Sequence, residues 1–256
     1  MTEVLLTALG VGGATLFGAV LGFVFKKISH RMGDIMMSFA AGIMLAAAVL
    51  GLILPSVEYG GGGAKGLPIT IIGIFLGAFT VNALDKLVPH LHKLSGIDPE
   101  NAKNSENSDK VQKILLFVLA IAIHNFPEGI AAGVGFGTDN VTDGILIALG
   151  IALQNIPEGM IIIAPMLSAG VSRSRTFIAA MATGLVEVLG TLLGYLAVSV
   201  SAAILPFALA FAGGTMLYVI SDEMIPETHA HGCERGATWA LIAGFCLMLA
   251  MHHYLG

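Results

Sequence analysis

Charge is scarce in this sequence. Only 11% of its 256 residues are Asp, Glu, Lys or Arg, where an ordinary soluble domain has about 25%. So little charge cannot build the polar shell that a water-soluble core needs, so the natural solvent of its outer surface is lipid. Cysteine is also scarce. Cys233 and Cys246 are the only two, and they form no Cys-x-x-Cys pair. That argues against a disulfide framework and a cysteine zinc knuckle. No basic stripe or aromatic platform is present, so no nucleic-acid partner is expected. The opening residues, 1–5, include Glu3 and no Lys or Arg. A secretory leader starts with a basic region, so the first apolar run is expected to be a retained helix.

What the chain has instead is long apolar runs. Hydrophobic residues make up 56% of it, and Gly contributes 33 positions. Small residues at that frequency suit membrane helices that pack closely. Eight runs stand out, at about 4–25, 35–57, 67–85, 114–135, 144–169, 176–202, 205–226 and 237–255. Each is long enough to cross a hydrocarbon core about 30 Å thick. None alternates strictly, so they read as helices and not barrel strands. The expected fold is an all-α integral membrane protein of eight transmembrane helices, with 1–256 forming one domain.

The basic residues set an orientation. If successive loops alternate sides, Lys65 is the single exception among the 12 Lys and Arg residues to a one-sided distribution. By the positive-inside rule the rich side is the cytoplasm, and both termini lie outside. The polar stretch 96–110, GIDPENAKNSENSDK, has no aromatic residue. It is expected to belong to a flexible cytoplasmic loop spanning about 89–112. His90 and His92 lie at its start. The short loops suggest a bacterial inner membrane.

The chemistry lies in the fourth and fifth runs. HNFPEG (124–129) and QNIPEG (154–159) repeat one pattern thirty positions apart. Successive spans run in opposite directions, so the two copies are expected to be antiparallel. Such inverted pairing places a binding site near the bilayer midplane. His124 and Glu128 are four residues apart and share a helical face, as do Gln154 and Glu158. Asn125 and Asn155 lie one step, about 100°, around. Together these residues offer one imidazole, two carboxylates and three amide oxygens. Zinc accepts imidazole nitrogen and carboxylate oxygen at about 2.0–2.2 Å. Ligand type alone admits iron, manganese, cobalt and cadmium as well. Pro127 and Pro157 are expected to kink the two helices and free the carbonyls of Ile123 and Leu153 beside the ligands.

Glu187 stands alone in the sixth run. Asp85 and the group Asp222, Glu223, Glu227, His229 and His231 extend an acidic trail toward the cytoplasmic side. An Asn or Gln in a membrane helix often serves only as interhelical glue. Carboxylates are different, because an ionised Asp costs about 2.5–3.5 kcal/mol at a helix centre. Three glutamates at that cost approach roughly 8–10 kcal/mol, the size of a whole domain's stability. No Lys or Arg within these spans answers them, and a bound cation is the natural counter-charge.

The chain resembles the ZIP (Zrt/Irt-like) family of metal transporters, in particular its bacterial GufA-like branch. The resemblance rests on HNFPEG, QNIPEG, Glu187 and DEMIPETHAHG (222–232), and it covers the whole chain. It implies import of divalent metal toward the cytoplasm through a binuclear centre, often by a homodimer with elevator-like or rocking motion. His124, Glu128, Gln154 and Glu158 match a first metal site, with Met44 as a further ligand. Asn125, Asn155 and Glu187 match a second, with Glu128 and Glu158 bridging. Asp85, Asp222, Glu223, His229 and His231 match an exit route. Many relatives have His at the position of Gln154, and some have Asp at that of Asn155. The competing reading is an intramembrane zinc hydrolase. That chemistry commonly uses His-Glu-x-x-His on one helix, and the motif does not occur here.

Overall fold

The computed structural model describes residues 1–25, 29–87, 107–138, 140–168 and 170–255; for 85–87, 107–120 and 202 it describes the backbone only. His90 and His92 lie outside the described residues. Within them the chain is helical and has no strand. Its long helices are α1 (Thr2–Val24), α2 (His30–Tyr59), α3 (Gly63–Leu87), α4 (Asn107–Gly135), α5 (Val141–Ser168), α6 (Arg173–Val200), α7 (Leu205–Thr228) and α8 (Glu234–Leu255). Among the described residues, seven of these are long and apolar enough to cross a membrane: α1 to α3 and α5 to α8.

Several helices begin before their apolar runs, because polar residues at an end can continue a helix and cap it. Ser29 accepts a hydrogen bond from the Met32 amide at 3.3 Å and starts α2. Ser172 does the same for α6 through the Arg175 amide. Each hydroxyl satisfies one of the amides that a first turn leaves open. The expected loop at 89–112 is shorter than its composition suggests, since α4 already starts at Asn107. Lys110, Gln112 and Lys113 are good helix formers, and Asp109 sits in the first turn, where a negative charge complements the helix dipole. The turn between α2 and α3 is all glycine, and Gly61, Gly62 and Gly63 have φ of 107°, 73° and 47°. An L side chain rarely adopts such angles.

The helices form four close pairs: α1 with α5, α2 with α8, α3 with α7, and α4 with α6. Each pair is held by glycines against the partner's backbone. A Cβ at Gly42 would collide with the Leu241 carbonyl, and one at Gly244 with the Phe39 carbonyl, which joins α2 to α8. Gly77 and Gly214 meet Phe211 and Ile74 and join α3 to α7. Gly129 and Gly133 press on Glu187 and Thr191, while Gly190 and Gly194 press on Phe126 and Ile130, so α4 and α6 interlock with a small-xxx-small stripe on each. Without water to drive apolar surfaces together, backbone contact of this kind is what holds membrane helices.

The pairs assemble into two groups. α1 also packs on α6 and α4 on α5, giving one group of α1, α4, α5 and α6; α2, α3, α7 and α8 form the other. Where the groups meet, α2, α4, α5 and α7 share a core that includes Met44, Leu52, Ala131, Ile151 and Met216. α4 and α5 touch at Gly135 against Gly144 and again at Glu128 against Gln154. The contact register rises along one helix as it falls along the other.

Departures from α-helical geometry occur in α2 and α7. Both contain a π-helical stretch, Ala47–Ile53 and Ile220–Met224, and a proline follows each at Pro55 and Pro226. A proline ring crowds the carbonyl four residues back, here Gly51 and Asp222, and a wider turn relieves that crowding. π turns also re-aim side chains, and the one in α7 carries Asp222 and Glu223. α4 and α5 are helical without a break through Pro127, Pro157 and Pro165.

Gly244→Leu is expected to separate α2 from α8. Forcing side-chain atoms into a closed contact costs about 1–3 kcal/mol or more. Thermal unfolding of the purified variant in detergent should show a lower midpoint than the wild type. An unchanged midpoint would mean that this contact carries little of the packing.

Candidate metal site at the meeting of α1, α4, α5 and α6

The glycine that ends each motif sets the depth of the glutamate before it. Gly129 lets α4 rest on the backbone of α6 at Glu187, and Gly159 lets α5 rest on the backbone of α1 at Thr15. Thr15 and Glu187 are themselves joined, because the Thr15 hydroxyl donates to Glu187 Oε2 at 2.8 Å. Four helices therefore meet at one level, and that level carries the polar residues of both motifs.

Inside it the side chains form short links. Gln154 donates from Nε2 to Glu128 Oε1 at 2.7 Å. Asn155 donates from Nδ2 to Glu187 Oε1 at 2.8 Å and to the Val11 carbonyl at 3.2 Å. Glu128, Glu187, Asn125, Gln154 and Asn155 are all fully or almost fully buried, and Glu158 is partly exposed. Glu158 and Glu187 lie near enough to Glu128 for their charges to interact, and Glu158 is within electrostatic reach of His124. The first basic residues on α6, Arg173 and Arg175, are exposed at its opening turn.

Four buried oxygens at this level have no protein partner: Asn125 Oδ1, Glu128 Oε2, Gln154 Oε1 and Asn155 Oδ1. Buried polar atoms in folded proteins are almost always bonded, to protein, water or an ion. The Asn125 amide nitrogen is partnerless as well, but the four acceptors outnumber it, which suits a cation. His124 points elsewhere, with Nε2 at 2.7 Å from Glu223 Oε1 on α7. That bond also spans the boundary between the two helix groups. Among the described residues, no three His, Cys, Asp or Glu side chains converge closely enough to hold an ion by themselves. The carboxamides and a freed His124 would have to complete any coordination shell.

The other expected residues are dispersed. Met44 is buried in the core between the two groups. Asp222 is exposed. His229 is bonded through Nδ1 to the Ile225 carbonyl at 2.8 Å and through Nε2 to Thr238 at 3.2 Å. His231 turns to α2, where Nδ1 lies 3.1 Å from Asp34 Oδ1 and its ring lies 5.4 Å from that of His30. Asp85 is on the last turns of α3, with only its backbone described.

Two participants were missed in the sequence reading. Thr15 was legible as the polar member of a small-residue stripe, Gly12, Thr15 and Gly18, in the apolar body of α1. Asp34 was legible as the fourth residue after His30, near the start of a helix. In both cases the signal was a polar side chain on a face that the structure buries.

Replacing Gln154 with Leu removes the donor to Glu128 and leaves both carboxylate oxygens without a protein partner. A buried acceptor left unpaired costs about 1–3 kcal/mol, and more when charged. The metal-free Gln154→Leu protein should therefore melt below the metal-free wild type in detergent. Equal melting temperatures would show that this bond contributes nothing net.

Comparison with known proteins agrees with this architecture. The family model described as ZIP Zinc transporter matches residues 110–252. The protein named Zinc transporter GufA of Myxococcus xanthus is 40% identical over 98% of this chain and 98% of its own length. Zinc transporter ZIPB of Bordetella bronchiseptica is 38% identical over 95% of this chain and 78% of its own length. Zinc transporter ZIP11 of Homo sapiens is 33% identical over 95% and 94%. These relatives are named as transporters and not as enzymes. With a family model covering more than half of the chain and relatives aligned almost end to end, this protein belongs to the ZIP family.

Proposed function

We propose that this chain carries divalent transition-metal ions, zinc foremost, across a membrane and toward the cytoplasm, through a site between α4 and α5. The carrying observation is the set of four partnerless buried oxygens on Asn125, Glu128, Gln154 and Asn155. They lie on two helices that also bring His124 and Glu158. Imidazole and carboxylate suit zinc, and the same donors accept cadmium, iron, manganese and cobalt. His124, Glu128, Gln154 and Glu158 are the proposed ligands of the ion, with Met44 near the boundary as a further one. An arriving cation would compete with Glu223 for His124. Glu223, with Asp222, His229, His231 and Asp85, is proposed to line the way out.

The names of the relatives support zinc as cargo. The hydrolase alternative has no support from them. The one-sided placement of Lys and Arg supports eight spans, with α4 among them and both termini outside the cytoplasm. The large exposed side chains of α3, such as Phe75 at 72% and Phe79 at 66%, suit contact with acyl chains or with a second copy of the chain. The two helix groups are natural rigid units for alternating access, since the close helix pairs within them rest on backbone-to-backbone contacts.

The test is zinc uptake into proteoliposomes that enclose a zinc-sensitive dye. Wild-type protein should give a saturable signal. The double variant Glu128→Ala, Glu158→Ala should fall to the level of empty vesicles. A folded wild type that moves no zinc, iron, manganese or cadmium would overturn the transport reading.

A further inference from the structure

We infer that the midplane of this chain holds one metal ion and not two, because a hydrogen-bonded bridge through Thr15, Glu187, Asn155 and the Val11 carbonyl stands where a second ion would be held. The inference rests on the metal-transport reading above and deepens it.

Glu187 is the only carboxylate that α6 brings to this level, and each of its oxygens accepts a hydrogen bond from a neighbouring side chain. Oε2 accepts from the Thr15 hydroxyl at 2.8 Å, and Oε1 accepts from Asn155 at 2.8 Å. Glu187 and Asn155 are each 0% exposed, so no solvent competes for these bonds. The orientation of the Asn155 amide follows from chemistry. Both of its partners, a carboxylate and the Val11 carbonyl, accept hydrogen bonds, so only the NH₂ arm can face them. Turning the amide over would set its oxygen against two other oxygens with no donor between them. It would also leave the Val11 carbonyl unpaired, at about 1–3 kcal/mol for a buried group.

To share an ion with Glu187, Asn155 would have to make that turn. As it stands, the N–H groups supply the positive partner that a cation would otherwise be. The surrounding backbone reinforces the arrangement, because Gly159 is pressed on Thr15 and Gly129 on Glu187, so α1 and α6 hold the bridge at a set width. The other arm of the amide, Asn155 Oδ1, joins Glu128 Oε2 and Gln154 Oε1 among the partnerless oxygens. Thr15 and Glu187 are in this reading positioning residues. They orient Asn155 toward a single ion and do not bind a second. An Asp at position 155 would bring no N–H and would remove the obstacle.

Equilibrium dialysis of the full-length protein in detergent against Cd²⁺, with metal counted by mass spectrometry, tests this. The midplane count is the difference between wild type and the Glu128→Ala, Glu158→Ala double variant, which cancels ions held by histidines elsewhere. The expected difference is one. Asn155→Asp should raise it to two. Glu187→Gln should leave it at one, since a glutamine oxygen still accepts from Asn155. A wild-type difference of two that drops to one in Glu187→Gln would overturn the inference, as would an Asn155→Asp protein that stays at one. Should Asn155→Asp fail to fold, the wild-type and Glu187→Gln counts decide. A difference of zero would instead remove the midplane site, and with it the function proposed above.

Discussion

A carboxylate placed in hydrocarbon has no water to bind, so whatever answers its polarity has to come from the protein or from an ion. Three glutamates, Glu128, Glu158 and Glu187, impose that condition on the centre of this molecule. Much of the surrounding architecture follows from it. Gln154 answers one oxygen of Glu128, while Thr15 and Asn155 answer both oxygens of Glu187. His124 reaches past its own helix group to Glu223. What remains unanswered is four oxygens and the Asn125 amide nitrogen, and a cation is the partner that the oxygens lack.

Bringing so many donors to one level needs helices that nearly touch. Side chains of ordinary size would hold the axes 8–10 Å apart, and short links such as Asn155 to the Val11 carbonyl would then be out of reach. Glycine at 129, 133, 159, 190 and 194 removes the intervening atoms. The packing and the chemistry are therefore one device: the residue after each motif glutamate is the one that lets the helix sit close enough for that glutamate to be met.

The boundary between the two helix groups is built differently. It holds methionine, alanine and isoleucine packing, the His124 to Glu223 bond, and two helices whose regular winding is interrupted. Within each group, the close helix pairs rest backbone on backbone. Contacts of the first kind exchange more readily than contacts of the second. Glu223 belongs to one group and His124 to the other, so the bond between them reports the relative placement of the groups.

Helical class, membrane solvent, most helix limits and the paired motifs were legible in the sequence, because apolar length and spacing at i, i+4 are local properties of a chain. So was the family, carried by HNFPEG and QNIPEG. Composition misled at 107–112, where polar residues continue α4, because helix-forming tendency and low hydropathy are separate properties. The sequence also drew attention to Pro127 and Pro157, whereas the π turns lie in α2 and α7, upstream of Pro55 and Pro226. What only the tertiary structure decided was pairing. Thr15 and Glu187 are 172 positions apart and Asn155 and Val11 are 144 apart, and no pattern along the chain specifies which amide arm meets which oxygen. That choice depends on close approach between helices distant in sequence, and it sets what each buried polar atom has left to offer an ion.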